Sequence, residues 1–230
     1  MDAIYRVPTI EMNIKIDDFG ITDYRVMWIR QKSLFHSLID AKKEHRPIEN
    51  EYILIGEHPA VYTLGFHGNA ANMLHAEELK KRGIEFIHIE RGGDITYHGP
   101  GQMIVYPILD LEYHHLGVKQ YMSLLEDCVI KLLAIYGIKG EKVDGATGVW
   151  IDVGTPNERK ICAMGIKCSK FVTMHGLALN VNTDLTAFSA INPCGFVDKG
   201  VTSIARELSH PVDLPSIKSQ FLEILLTELT

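Results

Sequence analysis

Cysteine is scarce in this chain. There are four in 230 residues, Cys128, Cys162, Cys168 and Cys194, and none of their spacings is Cys-x-x-Cys. A disulfide framework, a zinc site and a thioredoxin-like redox pair therefore have no sequence support. No apolar run approaches the ~18 residues of a membrane span. The stretch Met1 to Asp18 carries Asp2, Arg6, Glu11, Lys15, Asp17 and Asp18 among its apolar positions, which reads against a secretory leader. A long basic run is also missing: 23 Lys and Arg against 29 Asp and Glu give a net charge of -6, which disfavours nucleic acid as a partner. With 46% hydrophobic residues the chain is too apolar for intrinsic disorder. These absences lead to the expectation of one folded domain over residues 1–230, in a reducing, cytoplasmic compartment, with no metal, no cofactor, no nucleic acid and no membrane partner.

What is present is an alternation of helical and extended signals. Tyr24, Met27, Trp28, Leu34, Phe35 and Leu38 recur at spacings near three and four between Asp23 and Arg46, behind Thr22 or Asp23 as cap, and predict an amphipathic helix. Val118, Tyr121, Met122, Leu125, Cys128, Val129, Leu132, Leu133 and Tyr136 hold the same period for about five turns, with Gly137 where a helix C-terminus favours glycine. A third stripe, Ile217, Phe221, Ile224, Leu225 and Leu229, follows Pro215, and Ala76 to Arg82 suits a short helix before Gly83. Between them lie β-rich runs: Tyr52 to Ile55, Ala60 to Leu64, Ile84 to Glu90, Met103 to Leu109, Gly148 to Asp152, Ile161 to Lys167 and Phe171 to Val181. Strands and helices interspersed along the whole length indicate an α/β (α+β) domain. Gly154 to Arg159 reads as a turn, and so does the adjacent pair His114 and His115.

Four segments concentrate chemistry. Residues 91–102, Arg-Gly-Gly-Asp-Ile-Thr-Tyr-His-Gly-Pro-Gly-Gln, place four glycines around Arg91, Tyr97 and His98. This is either a backbone that approaches a ligand closely or a surface hairpin loop, and it is neither the Walker-type nor the dinucleotide pattern. Residues 159–170 carry Arg159, Lys160, Lys167 and Lys170 and no acid. They form either a basic patch for an acidic partner or a strand edge guarded by lysine, depending on whether Lys160 points inward. Cys194 lies between Pro193 and Gly195, a setting that suits a nucleophile but also a small buried hydrophobe. Cys128 lies on the apolar stripe of its helix and belongs to the core, while Cys162 and Cys168 stay undecided. His175-Gly176 opens a strand in which glycine marks either close ligand approach or a bulge with a satisfied histidine.

Taken together, Arg-Gly-Gly-x-x-Thr-Tyr-His-Gly-Pro-Gly-Gln at 91–102, Lys-Ile-Cys-Ala-Met-Gly at 160–165, His-Gly-Leu-Ala-Leu-Asn-Val-Asn at 175–182 and Asn-Pro-Cys-Gly at 192–195 resemble the lipoyl(octanoyl) transferases in order and spacing across most of the chain. The resemblance implies a single domain with a mixed or antiparallel sheet flanked by helices, like the catalytic domains of biotin protein ligases and lipoate ligases. It implies that Lys160 and Cys194 form a catalytic dyad. It also implies that the acyl chain lies along Arg91, Gly92, Gly93, Asp94, Ile95, Thr96, Tyr97 and His98, along Ala163, Met164 and Gly165, and along Gly176, Leu177 and Ala178. The implied reaction moves octanoyl from octanoyl-acyl carrier protein to a specific lysine of a lipoyl domain, with sulfur inserted later by another enzyme. The acceptors would be lipoyl domains of 2-oxoacid dehydrogenase complexes and the glycine cleavage H protein.

Two rival readings share this fold class. An ATP-dependent lipoate or biotin ligase would keep the lysine and need no cysteine nucleophile, which makes Cys194 the discriminating residue. A non-catalytic acyl-binding or carrier-docking module that kept the pocket would have lost one member of the dyad, and the sequence holds both.

Overall fold

A computed structural model of the chain describes residues 13–66, 68–74, 79, 81, 83–191 and 200–229. The segment with Cys194 lies outside the described residues. So does most of the expected helix at 76–82, of which Leu79 and Lys81 are described, both helical.

The large sheet runs in the order β1 (Asn13–Ile21), β2 (Asn50–Glu57), β6 (Gln102–Ile108), β9 (Val172–Asn180), β8 (Arg159–Ser169) and β10 (Gly200–Val201), with β7 (Val149–Ile151) also paired to β8. It is mixed: β1 on β2 and β10 on β8 are parallel, and the other pairings are antiparallel. A second sheet has the order β4 (Glu85–His88), β3 (Val61–Leu64), β5 (Ile95–His98).

Strand alternation sorts side chains to two faces of the large sheet. Ile53, Ile55, Met103 and Val105 meet Tyr121, Leu125, Phe221 and Leu225 of helices α2 (Val118–Ile135) and α4 (Leu214–Leu229), with Cys128 fully buried among them. Each such side chain contributes roughly 1.5–3 kcal/mol through burial. On the opposite face Leu54, Ile104, Tyr106 and Ile108 receive Met27, Phe35 and Leu38 of α1 (Tyr24–Lys43), whose first turn is capped by the Asp23 carboxylate. The small sheet packs Tyr62, Leu64, Ile95 and Tyr97 against Phe188 and Ile191, and turns Thr63, Thr96 and His98 toward the large sheet.

The expected helices and the α/β (α+β) architecture are as the periodicity indicates, with four differences in detail. Strand β1 is an edge strand whose signal is short: Ile14 and Ile16 alternate with Lys15 and Asp17, and the adjacent Asp17 and Asp18 then break the period. Strand β5 lies inside the glycine-rich stretch that reads as a loop, because Ile95 to His98 find a partner in β3 rather than a local one. The short strand β10 and the five-residue helix α3 (Ile204–Leu208) carry too few residues for a period. The turn at His114 is present, yet the ring is anchored: Nε2 lies 2.7 Å from the Glu51 carboxylate and Nδ1 3.1 Å from the Leu229 carbonyl. Among the described residues no helix is long and apolar enough to cross a membrane.

Candidate active site

The space between the two sheets is a cavity of about 580 Å³, within the size range typical of small-molecule sites. Its floor is the β8–β9 ladder, where Ala163 pairs with Ala178 and Gly165 with Gly176. These small residues keep the floor low. The glycine-rich segment crosses over it, held by the Gly92 amide donating to the Ile166 carbonyl at 2.9 Å. A Cβ on Gly165 would lie 2.5 Å from the Gly92 oxygen, so the crossing requires glycine there.

Lys160 lines this cavity. Its backbone is paired on one side with Trp150 of β7 and on the other with Val201 of β10, so the root of the side chain is fixed from both flanks. The amine donates to the Thr147 carbonyl at 3.1 Å and sits 4.4 Å from the centre of the Trp150 ring. The indole N–H of Trp150 donates to the Ala146 carbonyl at 2.9 Å, and Glu126 accepts from the Gly148 amide at 2.9 Å, which pins the turn that carries Thr147. The basic stretch is thus divided. Arg159 is bound by Glu207 and Asp152, Lys160 faces the cavity, and Lys167 and Lys170 lie further along β8 and at its end.

The opposite wall is a directed chain of polar groups. The Asn180 amide nitrogen donates to the Thr202 carbonyl, so its oxygen accepts from Gln102 Nε2; Gln102 Oε1 then accepts from His98 Nδ1 at 2.9 Å. That leaves His98 Nε2 unprotonated, facing the Thr63 hydroxyl at 3.3 Å, and that hydroxyl accepts from Arg91. Burial, with His58, Arg91 and His175 near, pushes the His98 pKa down to about 3, in keeping with a neutral ring. His58 is a second neutral ring: its Nδ1 donates to the Thr22 carbonyl and its Nε2 accepts from the Tyr106 hydroxyl at 2.9 Å, with burial lowering its pKa. Burial also raises the Tyr106 phenol well above its ordinary range. At neutral pH this wall is rigid and uncharged apart from the Arg91 guanidinium.

Of the expected acyl-lining residues, Arg91, Gly92, Gly93, Asp94, Ile95, Thr96, His98, Ala163, Met164, Gly165, Gly176 and Ala178 border the cavity together with Lys160. Tyr97 and Leu177 do not. Tyr97 turns to the outer core of the small sheet, 5.2 Å from Tyr62 and 5.5 Å from Phe188 between ring centres, and Leu177 joins the core under α2 and α4. Leu177 is one strand position out of phase with the lining residues Gly176 and Ala178, which moves its side chain to the other face. Cys194 lies outside the described residues. Of the other thiols, Cys128 and Cys162 are fully buried, and burial pushes the Cys128 pKa up to about 12 and that of Cys162 higher still. Cys168 opens on a separate recess with Lys42, Lys43 and Lys170. Tyr24 and Tyr106 also line the cavity, and neither carried a local signal, since an aromatic on an apolar stripe reads as core. Gln102, His175 and Asn180 did stand within quoted motifs, where residue type alone assigned them no role.

Residues 23–226 match the family described as the lipoyl protein ligase A/B catalytic domain. The octanoyltransferase of Bacteroides thetaiotaomicron is 51% identical over 210 residues, covering 91% of this chain and 92% of that protein. The octanoyltransferase of Parabacteroides distasonis is 50% identical over 216 residues, covering 93% and 97%. In fold, the chain resembles a bipartite lipoate protein ligase from Thermoplasma acidophilum, with a TM-score of 0.69 at 17% identity over 95% of this chain and 84% of that one. It also resembles a biotin protein ligase from Aquifex aeolicus, with a TM-score of 0.50 at 13% identity over 94% and 70%. With the family matched over residues 23–226 and relatives about half identical over nine-tenths of its length, the chain belongs to the lipoyl protein ligase A/B catalytic domain family.

Proposed function

We propose that this chain is an octanoyltransferase of protein lipoylation, one catalytic domain over residues 1–230 acting in the cytoplasm, with Cys194 as nucleophile and Lys160 as its acid/base partner. Octanoyl-acyl carrier protein is the donor, and a lysine on a lipoyl domain or an H protein is the acceptor.

One observation carries the reading: a lysine clamped between two strands borders a cavity floored with alanine and glycine. The roots of the segment 192–199 support it. Ile191 bridges to Met73 before the segment, and after it Val201 pairs with Lys160 itself. Cys194 stands seven residues before Val201, so a short tether links the thiol to the lysine's own strand partner. Among the described residues no thiol lines the cavity.

The steps balance. The Cys194 thiolate adds to the thioester carbonyl, the carrier thiolate leaves with a proton from the Lys160 ammonium, and an octanoyl thioester remains on the enzyme. One thioester replaces another, so the exchange is close to neutral in free energy. The acceptor amine then adds to that thioester, giving its proton to the neutral Lys160 amine, and the Cys194 thiolate departs as the amide forms. An unperturbed thiol of pKa about 8.5 is only a few per cent ionised at pH 7, so an adjacent amine adds roughly 30-fold at most through ionisation. The rest comes from positioning and from donors to the tetrahedral oxyanion.

Incubation with octanoyl-acyl carrier protein in the absence of ATP should place one octanoyl group on Cys194, read by intact-mass and peptide mass spectrometry. Transfer at the parent rate by Cys194→Ser, or a requirement for ATP, would refute the assignment and favour a ligase.

A further inference from the structure

The far end of the cavity is unlike the end at Lys160. His175 lines it and is only 1% exposed, and among the described residues neither ring nitrogen has a hydrogen-bond partner. Its backbone is left-handed, with φ 62°, a conformation uncommon for residues with a side chain. In a regular strand residue 175 would point to the same side as Leu177 and Leu179, into the core beneath α2 and α4. The twist instead stands the ring on the cavity side, edge-on to Tyr106 with 6.4 Å between ring centres. The His175 amide is held by Gln31 Oε1 of α1 at 2.9 Å, and Gln31 Nε2 is likewise buried without a partner among the described residues. Burial, with Arg91, Lys167 and Lys32 near, holds the ring's pKa down to about 3, so it presents one donor and one acceptor. Buried polar groups are almost always paired, and the His175 nitrogens, which border the cavity, find their partners in whatever occupies it.

The length of the floor suits a particular tail. An extended residue spans about 3.5 Å with three chain bonds, so the seven C–C bonds of an eight-carbon chain span about 8 Å. From Ala163 to Ile166, the register partner of His175, is three residue rises, about 10 Å. An eight-carbon tail lying from Ala163 therefore ends short of the ring, while the nine C–C bonds of a ten-carbon tail, about 10.5 Å, reach it.

We infer that His175 is a specificity-determining residue for acyl chain length: an eight-carbon tail stops short of the ring and leaves its nitrogens to water, whereas longer tails cover both with hydrocarbon. This rests on the proposed octanoyl transfer. Covering them should lower kcat/KM for a decanoyl donor about tenfold relative to octanoyl.

The test compares octanoyl, decanoyl and 10-hydroxydecanoyl donors with the parent protein and with His175→Leu, alongside His175→Asn, which stays polar and tolerates left-handed backbone. The decanoyl-to-octanoyl ratio should rise about tenfold in His175→Leu and stay at the parent value in His175→Asn. The parent should use 10-hydroxydecanoyl about tenfold better than decanoyl, because the hydroxyl pairs with the ring. An unchanged ratio in folded His175→Leu overturns the inference, and so does a parent protein that treats the two ten-carbon donors alike. The second comparison needs no variant to fold. Absence of octanoyl transfer by the parent would instead overturn the proposed function, and calorimetric affinities of the corresponding free acids would then make the same comparisons for the cavity.

Discussion

The two faces of the β8–β9 ladder differ in what they hold. On one, Cys162, Leu177 and Leu179 pack beneath α2 and α4; on the other, Ala163, Ala178, Gly165 and Gly176 floor the cavity. The backbone and the pairing are shared, and only side-chain volume at alternate positions differs. Between Gly176 and Leu179 the odd-numbered β9 residues therefore supply stability and the even-numbered ones a binding surface, whereas Val172 and Met174 pack into the core under α1. His175 is the exception, an odd-numbered residue whose left-handed backbone puts it on the open side.

That division can be broken by substitution. The largest effect is expected at the open face, where Lys160→Met should lower octanoyl transfer by roughly 10²–10⁴-fold and leave the melting temperature within a few degrees of the parent. Full turnover would remove Lys160 from the chemistry. On the filled face, Leu179→Ala should cost about 2–5 kcal/mol of unfolding free energy in a denaturant titration, by loss of burial and creation of a cavity. The folded fraction should keep its rate per molecule. A stability loss from Lys160→Met as large as that from Leu179→Ala would show that the two faces are not separable.

A smaller effect sharpens the contrast through pH. The folded pKa of His98 is near 3, below the ordinary value of about 6.5 that it regains on unfolding. Above pH 6.5 the ring is neutral in both states. Below it the unfolded chain takes up a proton that the fold refuses, so stability falls as pH drops toward 3. Between pH 6.5 and 5 that loss is roughly 2 kcal/mol, and His98→Gln should flatten the acid limb by that amount in urea titrations at the two pH values. His114 has the opposite sign. Burial alone would lower its pKa, but the Glu51 carboxylate more than offsets this and raises it, so its contribution is present at low pH and lost as pH climbs through the folded value. An acid limb unchanged in His98→Gln would mean that the cavity wall is not kept neutral.

Much of this was legible in advance where a pattern is periodic or a motif is dense. The α1 and α2 stripes are long enough to repeat, and the motifs around Arg91, Lys160 and His175 cluster residues that meet again around one cavity. Strand β1 was not legible, since the alternation of Ile14 and Ile16 with Lys15 and Asp17 is broken at Asp18 after too few residues to announce a strand. The family resemblance implies continuous lining stretches that include Tyr97 and Leu177, whereas their side chains pack into the core of the small sheet and the core beneath α2 and α4. Tyr24 and Tyr106 reach the site from α1 and β6, and nothing local distinguishes them from core aromatics.

By itself, the order of residues determined the helix faces, the apolar interior and the family to which the chain belongs, because these depend on local period and on motif spacing. Only the tertiary structure decided which side of each strand faces the cavity, which histidines are neutral and by which tautomer, and that His175 stands unpaired among the described residues. Those properties arise from burial and from partners distant in sequence: Asn180 lies 78 residues from Gln102, and Gln31 lies 144 from His175. No reading along the chain brings such groups together until the sheets have closed around them.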